Sequence, residues 1–359
     1  MAIDFDLSDA QRAFQDAVGG YLAETCTPRQ VLATFKDALL AERVWRGACE
    51  LGLPGVVTPA AYGGLGLGFL DASIIAEVMG RYGAPCGLAE HWLASACLAS
   101  AAHDDLRKKW LPRLATGAAR ATLSFAEDDD RWGPEEWRDS GAHTLTAIRP
   151  HTPWPAAADI IIVGLAGGRL GLIETEAGGV TAELSGALDA TRPLAKVSFS
   201  NAPLHILADS DALARRLRDL WLTLLAADAC GGASHCLDAT VAYVKERKQF
   251  GVPVGQFQGV KHQLADLAVK VAPACALYWY AAHALDLDLP DASVAAAQAK
   301  AHCSELYVDA ARKAIELHGG IGYTWEYGLH IWLRRSLHDR QFLGAPRKHR
   351  ARIADLKGW

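Results

Sequence analysis

The sequence lacks several features that would place it in a specialised class of protein. Its longest apolar stretches are interrupted by charged residues well before the ~18 residues that a membrane-spanning helix requires. Basic residues are not in excess, since 36 Lys and Arg stand against 41 Asp and Glu, and the formal net charge of −5 argues against a nucleic-acid-binding protein. None of the eight cysteines forms a C-x-x-C pair, and no fixed-period repeat is visible.

What remains is an ordinary globular composition, with 51% hydrophobic and 21% charged residues. A length of 359 residues predicts two or three sub-domains around a substantial core. Most cysteines lie in Ala- and Leu-rich segments typical of buried helices, and the first residues, MAIDFDLSDAQRAF, are acidic and unlike a signal or transit peptide. We therefore expect a cytoplasmic protein with reduced cysteines and no membrane span.

The hydrophobic pattern changes twice along the chain. Up to about residue 117 helical spacing predominates, and helices are predicted after a cap at Ser8 and over 38–51, 69–82, 89–102 and 104–116. From about 119 Gly, Pro, Thr and β-branched residues predominate, which predicts strands over 121–125, 144–148, 160–163, 169–173 and 195–199. After 209 the predicted helices are long, over 210–248, 256–285 with a kink at Pro273, 291–317, 327–341 and 346–356.

The predicted fold class is α+β, with three domains in chain order. They are an N-terminal helical domain over 1–117, a central β-barrel or β-sandwich domain over 118–206, and a C-terminal four-helix bundle over 207–359. The bundle helices carry more apolar surface than one small domain buries, for example at Leu277, Trp279 and Tyr280. We therefore expect the bundle to mediate assembly with another chain.

Three segments rich in glycine or charge are candidates for a functional site. YGGLGLG at 62–68 has no βαβ unit around it, so a turn between helices is favoured over a dinucleotide-binding loop. ERKQFG at 246–251 fits an ordinary helix end, and it also fits an anion site in which the Arg247 guanidinium grips a diphosphate. LHGGIGYTWE at 317–326 either reverses the chain or lets a flat or phosphorylated ligand approach the backbone closely.

Taken together with their spacing, these segments resemble the acyl-CoA dehydrogenase family over most of the chain. The most specific matches are ERKQFG followed by FQ at 257–258, and HGGIGYTWE at 318–326. The resemblance implies that family's fold, which has the three domains named above, and it implies FAD as cofactor. Family members remove hydrogens from Cα and Cβ of an acyl-CoA, are usually dimers or tetramers, and hold each FAD at a subunit interface. An electron-transfer flavoprotein is the implied electron acceptor.

The resemblance assigns one half of the FAD site to the bundle. In the family the corresponding residues reach the diphosphate and adenine end of the FAD that is seated in the neighbouring subunit. The residues that match are Arg247, Gln249, Phe250, Gln258 and Gly320. Glu316 stands where a Gln is common, so an acceptor for an adenine amino group is retained while the amide donor is lost.

The other half of the site departs from the family pattern. Where the family has a T-E-P-x-A-G-S-D loop against the isoalloxazine, this chain reads FAEDDDRW at 125–132, so the hydroxyl is missing and three consecutive Asp residues occur. The family's W-I-T-N strand falls at RPHTPW, residues 149–154. The two positions where family members carry the catalytic Glu fall on Leu343 and Trp221, and neither side chain can accept a proton.

These departures leave four hypotheses open. The leading one is a base-lacking subunit of a heteromeric α2β2 acyl-CoA dehydrogenase, whose partner subunit supplies the catalytic Glu and whose substrate is a bulky or steroid side-chain acyl-CoA. The others are a homomeric dehydrogenase with a displaced base, such as Asp228, a flavin monooxygenase or oxidase on the same fold, and a flavin-free scaffold. Neither a catalytic residue nor a metal site is predicted. The remaining ionisable groups, for which a structural or surface role is favoured, are His318, His338 and Asp339.

Overall fold

The computed structural model describes residues 6–208 and 211–359. Its first helix begins at the predicted cap, because the Ser8 hydroxyl accepts from the Gln11 amide at 3.2 Å and the Gln11 side chain accepts from the Ser8 amide at 3.0 Å. A second capping box, at Thr27, begins a short helix that was not predicted from the sequence. The helices before the strands are Asp9–Thr25 (α1), Pro28–Ala33 (α2), Leu39–Glu50 (α3), Phe69–Tyr82 (α4), Leu88–Ala101 (α5) and Asp104–Ala115 (α6).

The YGGLGLG segment is a turn, as predicted. Gly63 and Gly66 have φ angles of 83° and 63°, in the left-handed region that favours glycine. A Cβ on Gly64 would lie 2.1 Å from the carbonyl oxygen of Thr58, so this glycine is required by local packing. The amide of Leu65 donates to the Gly55 carbonyl at 2.8 Å, which fixes the turn against the preceding segment.

The strands form two sheets that share one core. They are Ala121–Ser124 (β1), Thr144–Pro153 (β2), Ile160–Leu165 (β3), Arg169–Glu174 (β4), Val180–Leu184 (β5), Leu194–Pro203 (β6) and His205–Ile206 (β7). The first sheet has the order β1-β3-β4-β7, with β1 and β3 parallel, and the second is the antiparallel sheet β2-β6-β5. Inward-facing residues of both sheets meet in a β-sandwich core that includes Leu145, Ile161, Val163, Ile173, Val197 and Phe199.

The C-terminal part is helical, with one correction to the prediction. The single helix expected over 256–285 is two helices, because the chain turns at 272–274, where Pro273 has no amide hydrogen with which to continue a helix. The expected helix start at Ser210 lies outside the described residues. The elements are Asp211–Glu246 (α7), Lys248–Gln249 (β8), Val252–Pro253 (β9), Gln258–Val271 (α8), Cys275–Asp286 (α9), Ala292–His318 (α10), His330–Gln341 (α11) and Pro346–Lys357 (α12).

The chain folds into two compact units, each assembled from separate stretches of sequence. Unit 1 is helical apart from the β8–β9 hairpin and comprises Met1–Val44, Ser73–Pro85 and Thr223–Trp359. Unit 2 contains both sheets and comprises Trp45–Ala72 and Cys86–Leu222. The helical–β–helical order along the chain is confirmed, whereas the domain boundaries at 117/118 and 206/207 stay predictions. Within residues 6–208 and 211–359, no helix is both long enough and apolar enough to cross a membrane.

Unit 1 is held by a close helix crossing and a buried ion pair. A Cβ on Gly231 of α7 would lie 1.8 Å from the Glu77 carbonyl oxygen of α4, so the two backbones touch at a position that only glycine permits. Arg335 of α11 meets Asp228 of α7 through two hydrogen bonds, from Nε to Oδ1 at 3.0 Å and from Nη2 to Oδ2 at 2.5 Å. Asp228 is therefore a packing element in this structure rather than a free base.

Candidate functional site

The segment after α7 presents its side chains outward. The carbonyl of Arg247 accepts from the Val254 amide at 2.8 Å, and β8 pairs with β9, so a short hairpin fixes the segment on the surface of unit 1. Arg247 and Gln249 are exposed, and the described part of the chain offers the Arg247 guanidinium no carboxylate partner. A guanidinium held in water by a rigid hairpin is suited to a bidentate contact with an anion from outside the chain.

Two exposed phenylalanines belong to this surface, Phe250 in the turn of the hairpin and Phe257 after its second strand. Phe250 has 94% of its surface exposed and a left-handed φ of 53°, and its ring meets Phe257 edge to face, with 6.2 Å between centroids. Gln258, the first residue of α8, is also exposed. An apolar ring left almost wholly in water, in a backbone conformation that costs free energy for a non-glycine residue, makes this surface a candidate for contact with another molecule.

The glycine segment at the end of α10 lies beside the end of α7. The Tyr243 ring stacks on His318 with 4.2 Å between centroids, and its hydroxyl donates to the His318 carbonyl at 3.2 Å. His318 is therefore a packing residue, and burial lowers its pKa below the ordinary range. Gly319 turns the chain with a φ of 64°, and Gly320 faces open space, with nothing within 4 Å of where a Cβ would stand. The two motif segments thus come together on one unit.

Glu316 belongs to a charged group that joins α8 to α10. The Lys313 ammonium donates to Glu316 Oε2 at 2.7 Å and to Gln263 Oε1 at 2.8 Å. A cleft of about 400 Å³ opens beside them, with further acidic and basic side chains on its walls. Lys313 partly neutralises the charge that the replacement of a common Gln by Glu316 introduces, so the carboxylate remains available as an acceptor.

Leu343 lies in a turn whose backbone is held by hydrogen bonds to its carbonyl groups. It is only 2% exposed and has a left-handed φ of 60°. The ammonium of Lys300 donates to the carbonyls of Asp339 at 2.5 Å and Gly344 at 3.4 Å. His349 Nε2 also lies 3.1 Å from the Gly344 carbonyl, which can only accept. The turn to which the resemblance assigns the family's usual Glu is therefore ordered, but it carries a buried hydrocarbon side chain.

Trp221, the second such position, is packed into unit 2. It is 1% exposed, and its ring meets Phe125 edge to face with 5.8 Å between centroids. Phe125 in turn contacts Trp137 at 4.8 Å, and Trp137 Nε1 donates to the Phe125 carbonyl at 2.9 Å. The base position and the start of the loop that the resemblance assigns to the flavin ring are thus in direct aromatic contact.

That loop closes on a buried ion cluster that was not predicted from the sequence. Arg149 is fully buried, and its guanidinium contacts Glu127 Oε1 at 2.8 Å, Asp139 Oδ2 at 3.2 Å and the Gly164 carbonyl at 2.6 Å. Burial alone would raise the pKa of Glu127, but hydrogen bonds from Arg149 and from the amides of Asp139 and Arg138 lower it. The available signal was the alternation of β2, which turns Arg149 inward with Leu145.

The remaining ionisable candidates are also structural. His338 stacks on Phe342 with 4.9 Å between ring centroids, and the Asp339 side chain is fully buried in unit 1. Of the three bundle residues expected at an interface, Leu277, Trp279 and Tyr280, all are partly buried, and the Tyr280 hydroxyl donates to Asp291 at 2.7 Å. Among the large hydrophobic side chains of the described residues, Phe250, Trp359 and Tyr323 are the most exposed, at 94%, 85% and 78% of their surface.

Comparison with known proteins gives consistent matches along the chain. Residues 8–118 match the family model described as acyl-CoA dehydrogenase, N-terminal domain, and residues 223–356 match the C-terminal domain model. The acyl-CoA dehydrogenase IpdE2 of Mycolicibacterium smegmatis is 32% identical over 349 residues, which cover 97% of this chain and 98% of that protein.

Solved structures share the whole fold. A variant of the Tcur3481-Tcur3483 steroid ACAD superposes with a TM-score of 0.90 at 27% identity, covering 98% of each chain. The ChsE4-ChsE5 complex of Mycobacterium tuberculosis superposes with a TM-score of 0.89 at 21% identity, covering 99% of each chain, which shows likeness of fold alone.

Proposed function

Because the chain belongs to the acyl-CoA dehydrogenase family, we propose that it is a subunit of a heteromeric, FAD-dependent enzyme that introduces a double bond between Cα and Cβ of an acyl-CoA. The key observation is that both positions expected to carry the base hold buried side chains without a proton acceptor, Leu343 and Trp221. Removal of an α-proton from a thioester requires a positioned base, which typically contributes ~10²–10⁴ in rate. The partner subunit would supply this Glu.

The bundle surface fits the diphosphate and adenine end of an FAD seated in the partner. Arg247 would contact the diphosphate, and Gly320 leaves room for the cofactor to approach the backbone. The residues expected beside them are Gln249, Phe250, Gln258 and Glu316. FAD, when bound, supplies the acceptor for the hydride that leaves Cβ. The residues of this chain would hold and orient it without taking part in proton transfer.

The substrate class and the other partners belong to the same proposal. A bulky or steroid side-chain acyl-CoA is favoured, since the relative at 27% identity is described as a steroid ACAD under two joined designations. The joined designations also favour assembly from two unlike subunits. An electron-transfer flavoprotein would accept the electrons, and the complex would be cytoplasmic.

Purification with and without the product of a neighbouring gene tests the division of labour. We expect the chain alone, with excess FAD, to bleach no flavin when straight-chain, branched or steroid CoA thioesters are added. The co-expressed pair should be yellow and active. Rapid bleaching by the chain alone would overturn the proposal and favour a displaced base. A yellow chain that fails to bleach would favour a monooxygenase or oxidase, and a colourless protein in every combination would favour a scaffold.

Arg247→Ala tests the contact with the cofactor. A charge-assisted hydrogen bond of this kind is worth on the order of 1.5–3 kcal/mol, so FAD retention by the assembled complex should weaken roughly ten- to a hundred-fold. Lys245→Ala removes the same charge from the last turn of α7 and serves as the matched control. Equal flavin content in the wild-type protein and both variants would refute the assignment of Arg247.

A further inference from the structure

The loop that the family uses against the flavin ring is folded here into the core of unit 2. It leaves β1 at Phe125, whose ring lies between Trp137 and Trp221 with centroid distances of 4.8 Å and 5.8 Å. A Cβ on Gly164 would lie 2.5 Å from the Trp137 indole, so Trp137 is seated flat against β3. These contacts fill the space between the loop and α7 with side chains of the same chain.

Two groups of ion pairs fasten the loop. Glu127, near its start, accepts from the amides of Arg138 and Asp139 near its end, at 2.9 Å and 3.1 Å, and contacts the buried Arg149 at 2.8 Å. Glu135, which lies between them in the chain, meets Arg218 of α7 at 2.6 Å. Between the ends the chain makes a tight turn, closed by the Glu127 amide donating to the Arg131 carbonyl at 2.9 Å.

The second segment assigned to the flavin ring joins the same cluster. Arg149 lies opposite Val197 on β6, next to an irregularity in the β2–β6 register that falls between 149 and 152. Two residues further, His151 stacks on Trp132 of the loop, with 5.7 Å between centroids and 16° between planes. The two segments that the resemblance assigns to the flavin ring therefore contact each other, whereas a loop that binds a cofactor has to leave space between them.

The residues of this half do not fit a flavin. The Glu127 carboxylate accepts from the amides of Arg138 and Asp139 and pairs with the fully buried Arg149, whose Nη2 donates to the Gly164 carbonyl, so the charges of this pair are compensated inside the chain. The exposed tip of the turn carries Asp128, Asp129 and Asp130, whose charges would oppose the negative charge that develops on a reduced flavin.

We infer that segments 125–139 and 149–154 form a closed structural core, and that this chain therefore contacts FAD only through the Arg247–Gly320 surface of unit 1. In this chain Arg149 orders the loop, a role that a bound cofactor fills in a cofactor-binding loop. This inference rests on the proposed function, because the family assignment places the ring at these segments. The inference can be refuted independently of the proposed function, because its test needs neither enzymatic activity nor a partner subunit.

Hydrogen exchange on the flavin-free, full-length chain tests the closure directly. The amides of Arg138 and Asp139 should exchange at least about a hundred-fold more slowly than in an unstructured peptide, since both bond to a buried carboxylate. Excess FAD should leave peptides 121–139 and 145–154 unchanged. Exchange near the unstructured rate without FAD, or protection of these peptides on adding FAD, would overturn the inference.

A pair of variants isolates the ion cluster. Glu127→Gln keeps the size of the side chain but removes its charge, so exchange at Arg138 and Asp139 should accelerate roughly ten- to a hundred-fold. Asp129→Asn changes an exposed charge on the same turn and should leave these amides as they are. Equal exchange in the two variants would show that the cluster does not hold the loop. FAD-dependent protection at 246–258 and 318–326, measured in the same experiment, reports on the proposed function alone.

Discussion

Replacing Arg335 by Met tests the buried ion pair of unit 1 and, with it, the role of Asp228. The two side chains are 3% and 8% exposed, and two hydrogen bonds join them, while Arg335 Nη1 also donates to the Ala84 carbonyl at 3.3 Å. Arg335→Met leaves a buried carboxylate without its cation. Removing one partner of such a pair typically costs about 3–5 kcal/mol, a large share of the ~5–15 kcal/mol that holds a domain together.

Urea unfolding, followed by circular dichroism and by tryptophan fluorescence, measures this loss. The double variant Arg335→Met with Asp228→Leu removes both charges and should recover most of the stability, because a buried pair of ions and an apolar pair of similar volume are nearly equivalent. Arg81→Met breaks the exposed pair with Asp238 and should cost at most about 1 kcal/mol. A loss below about 1 kcal/mol for Arg335→Met, or no recovery in the double variant, contradicts the reasoning.

Three further predictions concern stability and accessibility. Gly231→Ala should lower the free energy of unfolding, measured in urea, by about 1–3 kcal/mol, because the new methyl group meets the Glu77 carbonyl. Gly20→Ala, whose methyl group meets nothing within 4 Å in the middle of α1, should raise it by about 0.5–1 kcal/mol. Burial lowers the pKa of His91 from 6.5 to about 4, so the unfolded chain binds more protons than the folded chain between these pH values. The free energy of unfolding should therefore fall as the pH drops from 6.5 to about 4. A His91→Gln variant should lose this pH dependence, and an unchanged dependence would exclude His91 as its cause. A thiol reagent should modify all eight cysteines after denaturation, but in the native protein only the partly buried Cys49, Cys86 and Cys275, so labelling of a fourth would contradict the burial of the other five.

Periodicity and capping residues predicted most of the fold. The cap at Ser8, the strand positions and the long helices follow from local patterns, since apolar spacing and turn residues act over a few positions. The prediction was wrong at Pro273, where the chain ends one helix and begins another, and strand β5 was missed because its side chains are mostly exposed. Local patterns do not distinguish a kink from a break, and they say little about an edge strand.

The motifs assigned to the bundle half of the candidate site could be located from the sequence, whereas the ion cluster of the loop after β1 could not. Arg247 and Gly320 lie in short motifs that can be recognised from neighbouring residues in the sequence. Arg149 and Glu127 are 22 positions apart, and their meeting depends on how β2 and the loop after β1 fold together. Lys300 likewise acts on carbonyls at 339, 340 and 344, which only the tertiary fold brings to its ammonium group.

At the Leu343 turn, the hydrogen bonds that hold the backbone do not involve the side chain that the turn presents. Lys300 and His349 hold it through backbone carbonyls, which every residue possesses, so nothing in these bonds depends on the side chain at 343. A left-handed leucine costs about 1–2 kcal/mol, and the fold bears this cost at a position whose own side chain is neither an acid nor a base. The backbone shape of this turn and the side chain it presents therefore depend on different residues, so a substitution at 343 would change the presented group without removing the bonds that hold the turn.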